Sequence, residues 1–176
     1  MTWGKGIITL IHKGGDANNL DNYRPITLLP TIYKIWATII TNRLAPVMNL
    51  LKKDNQCAYK AKRSTADAVY FLKRNLVKKI NGHISFGPSK AFDGINRGKL
   101  RWALYGKGLP TNLIDMIING HTDNSLYGKL NCEIGTETYS DKGVFEGSPT
   151  SASIYIIFAD GIMEEYKDEI KKKNCK

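Results

Sequence analysis

Acidic residues that could hold catalytic metal ions are sparse in this chain. Transfer of a phosphoryl group by two metal ions needs at least two carboxylates that reach ions roughly 4 Å apart. Asp93 and Asp160 are the only acids in suitable positions beside apolar runs. The neighbours of Asp160 keep a helical period, which predicts an ordinary helical aspartate facing solvent. No His, Cys and Asp triad and no metal-site spacing occurs in the sequence.

Two cations flank a loop at the tip of a predicted hairpin. Lys13 precedes the loop and Arg24 follows it. Together they could hold phosphates, because Arg offers a fork of donors and Lys a point charge. Two solvated loop charges are the alternative, and the spacing alone favours it.

A strongly basic segment lies between residues 52 and 79, with Tyr59 and Tyr70 interleaved and only Asp54 and Asp67 as acids. Such a surface could follow a nucleic-acid backbone. A helix with a merely basic outer face explains the pattern equally well. The cations of the segment are Lys52, Lys53, Lys60, Lys62, Arg63, Lys73, Arg74, Lys78 and Lys79.

Residues 143–151 form a third candidate, a loop with two glycines, a proline and three hydroxyl side chains before a helix. Such a loop lets a ligand approach the backbone closely, and a helix N-terminus favours anions. A simple connector is the alternative.

Composition narrows the class of protein. Apolar residues make up 42% of the 176, so one domain with a real core is expected. The 26 Lys and Arg exceed the 16 Asp and Glu by ten, which favours a polyanionic partner or simply a basic domain. Three distant cysteines indicate a reducing intracellular location, nucleus or cytoplasm, rather than secretion. No apolar run is long enough to span a membrane.

Periodicity predicts an α+β fold in which helices pack on a small, mainly antiparallel sheet. Strands are expected at 6–11, 23–29 and 83–86, with a hairpin at 125–131 and 134–139. Pro25 indicates an edge strand. Helices are expected over 31–51, where Pro46 should kink or end the helix, from a capping box at Ser64 to Asp67, and near 100, 110 and 151.

Taken in order, these segments resemble the reverse transcriptase domain of non-LTR (LINE-type) retrotransposons. The most specific match is Asn-Tyr-Arg-Pro-Ile at residues 22–26. Other matching motifs lie at 12–16, 34–35, 42–44, 56–67, 89–97 and 143–151. Several motifs in the right order identify the family more strongly than any one of them.

The resemblance implies a right-hand polymerase, with fingers over residues 1–82 and part of the palm over 83–176. Lys13 and Arg24 would hold an incoming dNTP, Phe92 would exclude a 2′-hydroxyl, and Gly147 would let primer-template and nucleotide approach. Mg²⁺ would be the cofactor, and an RNA template with a DNA primer the partner. The nucleic-acid contacts would come from Lys60, Lys62, Arg63, Lys73 and Arg74.

Departures from the family pattern decide the functional expectation. The metal-binding acid stands four residues before the alanine of its motif, and counting back from Ala91 gives Gly87, which cannot coordinate a cation. Glu146 stands where the family has glutamine, and its carboxylate would repel a triphosphate. A second catalytic motif, aromatic-Ala-Asp-Asp, does not occur in the 176 residues.

The sequence therefore predicts a fragment of a retrotransposon reverse transcriptase without polymerase activity of its own and without productive Mg²⁺ binding. A non-catalytic RNA- or DNA-binding remnant, or the product of a pseudogene, is the alternative. Neither hypothesis involves a membrane.

Overall fold

The structure, a computed structural model, describes residues 5–50, 57–59, 62–77, 90–130 and 133–174. Its strands and helices follow the expected order. The strands are β1 (Gly6–His12), β2 (Tyr23–Leu28), β3 (Leu126–Leu130) and β4 (Glu133–Thr138). The helices are α1 (Thr31–Leu50), α2 (Thr65–Val77), α3 (Arg97–Gly106), α4 (Thr111–Gly120) and α5 (Ser151–Asn174). The strand predicted at 83–86 lies outside the described residues.

The four strands form one sheet in the order β2-β1-β3-β4. Two neighbouring pairs are antiparallel, as expected, whereas β1 and β3 run parallel. Pro25 lies in β2, at the edge of the sheet, as predicted. Proline has no backbone N–H, and at an edge no second neighbouring strand requires that hydrogen bond. The α+β class is confirmed.

The main core lies among the helices rather than on the sheet. Helices α1, α3, α4 and α5 contribute buried aliphatic side chains to it, and the removal of their apolar surface from water stabilises the fold. A smaller cluster of Leu29, Tyr33, Ala37, Leu126 and Phe145 joins α1 to the sheet. The main cluster includes Ile40, Leu44, Leu100, Leu104, Ile114, Ile117, Ile154 and Ile157.

Pro46 was expected to kink or end α1; it does not end the helix, and a kink stays a prediction. The helix continues to Leu50 with the proline inside it. A proline in a helix interior costs about 3 kcal/mol. Here Leu44 on one side is fully buried, and Val47 and Met48 on the other pack against the main core. Tertiary packing on both sides therefore holds the chain helical through the proline.

The capping box at the start of α2 is confirmed. The Ser64 backbone N–H donates to the Asp67 carboxylate at 2.7 Å, and the Asp67 N–H donates to the Ser64 hydroxyl at 3.4 Å. Several apolar side chains of this helix are nevertheless exposed. Leu72 is 37% exposed, and Val69 and Tyr70 are more exposed still.

Asp160 is helical, as the period of its neighbours predicts, but it does not face solvent. Its side chain is 13% exposed, and its carboxylate lies 2.8 Å from the Lys107 ammonium, which is 14% exposed. The expectation of a solvated aspartate was wrong because α3 packs closely on α5. A methyl group on Gly161 would lie 3.0 Å from the Ala103 side chain.

Candidate functional site

The loop between β1 and β2 is an ordered turn that carries Lys13. The Lys13 N–H donates to the Asn22 carbonyl at 2.7 Å, which closes the loop at its base. Gly14 and Gly15 have positive φ, a conformation that glycine adopts without steric cost because it has no Cβ. The Asp16 side chain accepts a hydrogen bond from the Asn18 N–H at 3.0 Å. The hairpin predicted from the sequence is confirmed, with Lys13 and Arg24 at its end.

A second loop, residues 143–146, is held against the turn that contains Phe92 and Asp93. The Val144 N–H donates to the Phe92 carbonyl at 3.0 Å, and the Gly143 N–H to the Ile95 carbonyl at 2.7 Å. Gly143 has a φ of +83°, and a Cβ there would lie 2.9 Å from the Asp93 backbone. Two motifs that are distant in the sequence are thus joined through their backbones.

Arg97 fixes the chain leading into that loop. Its guanidinium donates to the carbonyls of Ser140 at 2.8 Å, Gly143 at 3.0 Å and Lys142 at 3.2 Å. Burial lowers the pKa of Arg97, partly offset by Asp141 and Asp123. No role for Arg97 was inferred from the sequence. Its position could have indicated a structural role, because Arg97 directly follows the N-cap of α3. A cation is unfavourable at the positive end of the helix dipole, so its presence there indicates other contacts.

Glu146 connects the two loops. Its carbonyl accepts the Thr27 N–H of β2 at 2.7 Å, and its Oε1 lies 3.4 Å from Arg24 Nε. Burial raises the pKa of Glu146, Arg24 and Lys13 lower it, and Asp93 raises it, with a net upward shift. Arg24, Lys13 and Asp93, which lie far from Glu146 in the sequence, therefore all act on its carboxylate.

A cleft of about 300 Å³ opens beside Glu146, between the sheet and the 138–146 segment. Its walls combine sheet residues with the backbone-rich loop, a usual arrangement for a ligand site. Its lining includes Ile8, Pro25, Thr27, Asp93, Tyr139 and Glu146.

Phe92 and Gly147 flank this cleft without lining it. The half-buried Phe92 ring packs on Tyr155, with ring centroids 5.3 Å apart. Gly147 has a φ of +122°, and a Cβ there would be 2.5 Å from the Thr27 carbonyl oxygen. The structure thus gives Gly147 a packing reason of its own, and the proposed roles of Phe92 and Gly147 toward a nucleotide stay predictions.

A buried histidine that sequence reasoning did not single out packs beneath the loop. His121 is 2% exposed and lies against Phe145, with ring centroids 5.2 Å apart. Burial, with a smaller effect of the Arg97 charge, lowers the pKa of His121 to about 3. The imidazole is therefore neutral at physiological pH and acts as an aromatic packing group.

The predicted nucleic-acid contacts are found on an exposed surface around α2. Lys62, Arg63, Lys73 and Arg74 are all exposed. We call these four residues the α2 basic surface. Lys60 lies outside the described residues, and the structure brings none of the four into the cleft.

The described residues do not provide a magnesium site. They contain no group of three or more His, Cys, Asp or Glu side chains that could hold a metal ion. At the cleft only Asp93 and Glu146 offer carboxylates among the described lining residues, and Glu146 already contacts Arg24. Gly87 lies outside the described residues. We therefore assign no Mg²⁺-dependent reaction step to the described residues.

The chain forms an α+β domain with a cleft beside its sheet, and comparison with known families identifies its class. The family described as "Reverse transcriptase (RNA-dependent DNA polymerase)" matches residues 11–176. The chain belongs to this reverse transcriptase family, as the resemblance had indicated.

Relatives among transposon proteins agree with this assignment. The "Transposon TX1 uncharacterized 149 kDa protein" of Xenopus laevis is 26% identical over 86% of the chain, and the chain covers 12% of it. The "Probable RNA-directed DNA polymerase from transposon BS" of Drosophila melanogaster is 32% identical over 43% of the chain, which covers 9% of that protein. The chain thus spans about a tenth of these relatives.

A solved structure supports the fold. Telomerase from Candida tropicalis, in complex with the TWJ fragment of telomeric RNA, superposes with a TM-score of 0.60 at 16% identity. The match covers 92% of this chain and 32% of the telomerase chain. Separately, none of the helices in the described parts of the chain is long and apolar enough to cross a membrane.

Proposed function

We propose that this chain is the nucleotide- and template-binding part of a retrotransposon reverse transcriptase and does not polymerise DNA by itself. The observation that carries the proposal is the convergence of Lys13, Arg24, Asp93 and Glu146. Each of these residues belongs to a different family motif, and the folded chain brings the other three charges into range of the Glu146 carboxylate. Residues 1–82 would be the fingers and 83–176 part of the palm.

The cations at the hairpin end are suited to a triphosphate. Arg24 presents a planar fork of donors that matches phosphate oxygens, and Lys13 adds a second charge. The ordered loop at the base of Lys13 limits the conformational entropy that binding would cost. In this proposal Phe92 and Gly147 border the nucleotide.

Loss of catalysis is proposed from Gly87. A glycine has no side-chain oxygen, so the family position for the first metal ligand cannot contribute to a two-metal site. Mg²⁺ would then bind through the nucleotide phosphates alone and not in a productive geometry.

Binding of nucleic acid would use Lys60 and the α2 basic surface. Exposed cations release counterions from a phosphate backbone when they bind it, so affinity should fall steeply with salt. The net charge of +10 and the RNA bound to the similar telomerase support this part of the proposal. An intracellular location, nucleus or cytoplasm, stays a prediction.

A non-catalytic nucleic-acid-binding remnant is the second candidate, and the exposed α2 basic surface favours it. This candidate predicts duplex binding without any nucleotide binding at Arg24. A pseudogene product would predict neither kind of binding.

The deciding experiment is primer extension by the 176-residue chain with an RNA template, a DNA primer, dNTPs and Mg²⁺. We expect duplex binding without extension. Template-directed synthesis would contradict the proposal of lost catalysis. In the same preparation, Arg24→Gln and Lys13→Gln should weaken dNTP binding, whereas Lys34→Gln, an exposed lysine on α1, should not.

A further inference from the structure

Arg24, the residue best suited to hold a triphosphate, is already in contact with a carboxylate of its own chain. Arg24 Nε lies 3.4 Å from Glu146 Oε1. The Arg24 side chain is 57% exposed, so its remaining donors can be reached from solution, whereas Glu146 is 27% exposed and sits at the cleft wall. A phosphate that bound this guanidinium through Nε would compete with the Glu146 carboxylate.

The charges around this contact cancel in pairs. Lys13 and Arg24 are positive, and Glu146 and Asp93 are negative. A triphosphate at Arg24 is attracted by the sum of these charges, since Lys13, Arg24 and Asp93 all act on the Glu146 carboxylate. Neutralising Glu146 alone would leave one net positive charge there.

Glu146 is also held in place by the backbone. Its carbonyl accepts the Thr27 N–H at 2.7 Å, and the next residue, Gly147, lies against the Thr27 carbonyl. The main chain at 146 is therefore anchored to β2, the strand that also carries Arg24. The contact can therefore open through the side-chain torsions of Glu146 or of the exposed Arg24, without movement of the main chain at 146.

We propose that Glu146 is an internal competitor for the triphosphate of the incoming nucleotide, so that a phosphate can use the whole Arg24 guanidinium only when the Glu146 carboxylate leaves it. This inference rests on the proposed nucleotide site at Arg24 and Lys13. It makes residue 146 a determinant of affinity for polyphosphate anions. It assigns a function to the glutamate that stands in place of the family's glutamine.

The test compares Glu146→Gln with Glu133→Gln in the 176-residue chain. Both substitutions remove one negative charge, but Glu133 is exposed at the start of β4. Binding of inorganic triphosphate and of a dNTP is measured by calorimetry at low salt. We expect Glu146→Gln to tighten both on the order of tenfold, the effect of one charge at short range at a protein surface. Glu133→Gln should leave both nearly unchanged.

Further variants separate the possible failures. Glu146→Asp keeps the charge and should bind like the original chain, and Glu146→Ala serves if the glutamine variant does not fold. Unchanged binding in Glu146→Gln, with weaker binding in Arg24→Gln, would contradict the proposal that Glu146 competes with the triphosphate. The same result would support the proposed nucleotide site. Unchanged binding in Arg24→Gln and Lys13→Gln would contradict the proposed nucleotide site, and with it the proposed competition by Glu146.

Binding of an RNA–DNA duplex, measured on the same variants, distinguishes recognition of a free triphosphate from recognition of backbone phosphates. An RNA–DNA duplex without a terminal triphosphate should bind Glu146→Gln and Glu133→Gln equally well. Tighter duplex binding by Glu146→Gln without a gain for inorganic triphosphate would overturn the proposal.

Discussion

Gly147 lies so close to the carbonyl of Thr27 that a Cβ at position 147 would be 2.5 Å from the carbonyl oxygen. Loop 143–150 thereby docks on the edge strand of the sheet. The docking places the Glu146 carbonyl on the Thr27 N–H and its carboxylate near Arg24. These two backbone contacts at Thr27 join the glycine loop to the hairpin that carries the cations.

Gly147→Ala should therefore destabilise the protein. Its φ of +122° disfavours any side chain, and the clash is with backbone, which cannot turn away. We expect a decrease of about 2 kcal/mol or more in the free energy of unfolding, measured by urea denaturation. Gly128→Ala is the matched control, because a Cβ there meets nothing within 4 Å and should change stability little. Equal stability of Gly147→Ala and the original chain would contradict the docking.

Lys107→Met should lower the free energy of unfolding by about 3 kcal/mol. The substitution removes the cation that pairs with the nearly buried Asp160 carboxylate. Asp160→Asn should cost less, since Lys107 also binds Glu164. Burial lowers the pKa of Lys107, but the bonds to Asp160 and Glu164 outweigh it and the net shift is upward. Stabilisation by this pair is thus present below the unfolded pKa of lysine and is lost as pH rises through the folded pKa.

Urea denaturation at pH 7 measures these differences, with Lys34→Met on the exposed side of α1 as the control. Equal decreases in stability for Lys107→Met and Lys34→Met would show that the ion pair is not buried.

The buried His121 should make the protein sensitive to acid. Its folded pKa of about 3 lies far below the ordinary value of 6.5, so the unfolded state binds the proton first. Stability due to the neutral ring is present above pH 6.5 and declines as pH falls toward the folded pKa. At pH 5 the decrease in stability should be about 2 kcal/mol relative to pH 7.

His121→Phe keeps an aromatic ring beside Phe145 and removes the titrating group. The variant should lose less stability between pH 7 and pH 5 than the original chain, as urea denaturation at both values would record. An unchanged pH dependence would rule out His121 as its source.

Replacing the α2 basic surface with alanine should weaken binding to an RNA–DNA duplex and flatten its salt dependence. The slope of log K against log salt should become shallower by about 0.9 for every phosphate that the variant no longer neutralises. Fluorescence anisotropy between low and moderate salt measures both quantities.

The matched control changes four exposed cations on other elements, Lys34, Arg43, Lys99 and Lys129, to alanine. Both variants lose the same charge, so equal effects would mean that overall charge, and not this surface, binds the duplex.

Local sequence signals determined most of the secondary structure. The order of strands and helices, the Ser64 capping box and the edge position of Pro25 all follow from short-range patterns, and the structure confirms them. The family also followed from sequence, because its motifs are short and ordered along the chain.

Only the tertiary structure decided what surrounds each charge. Pro46 stays helical because the core packs on both sides of it, and Asp160 is largely shielded from solvent because α3 lies against α5 and brings Lys107 to it. The partnership of Arg24 with Glu146 depends on the docking of a loop that is far away along the chain. Periodicity records which residues prefer burial, whereas the partner of a buried or half-buried charge is set by long-range packing that no local pattern encodes.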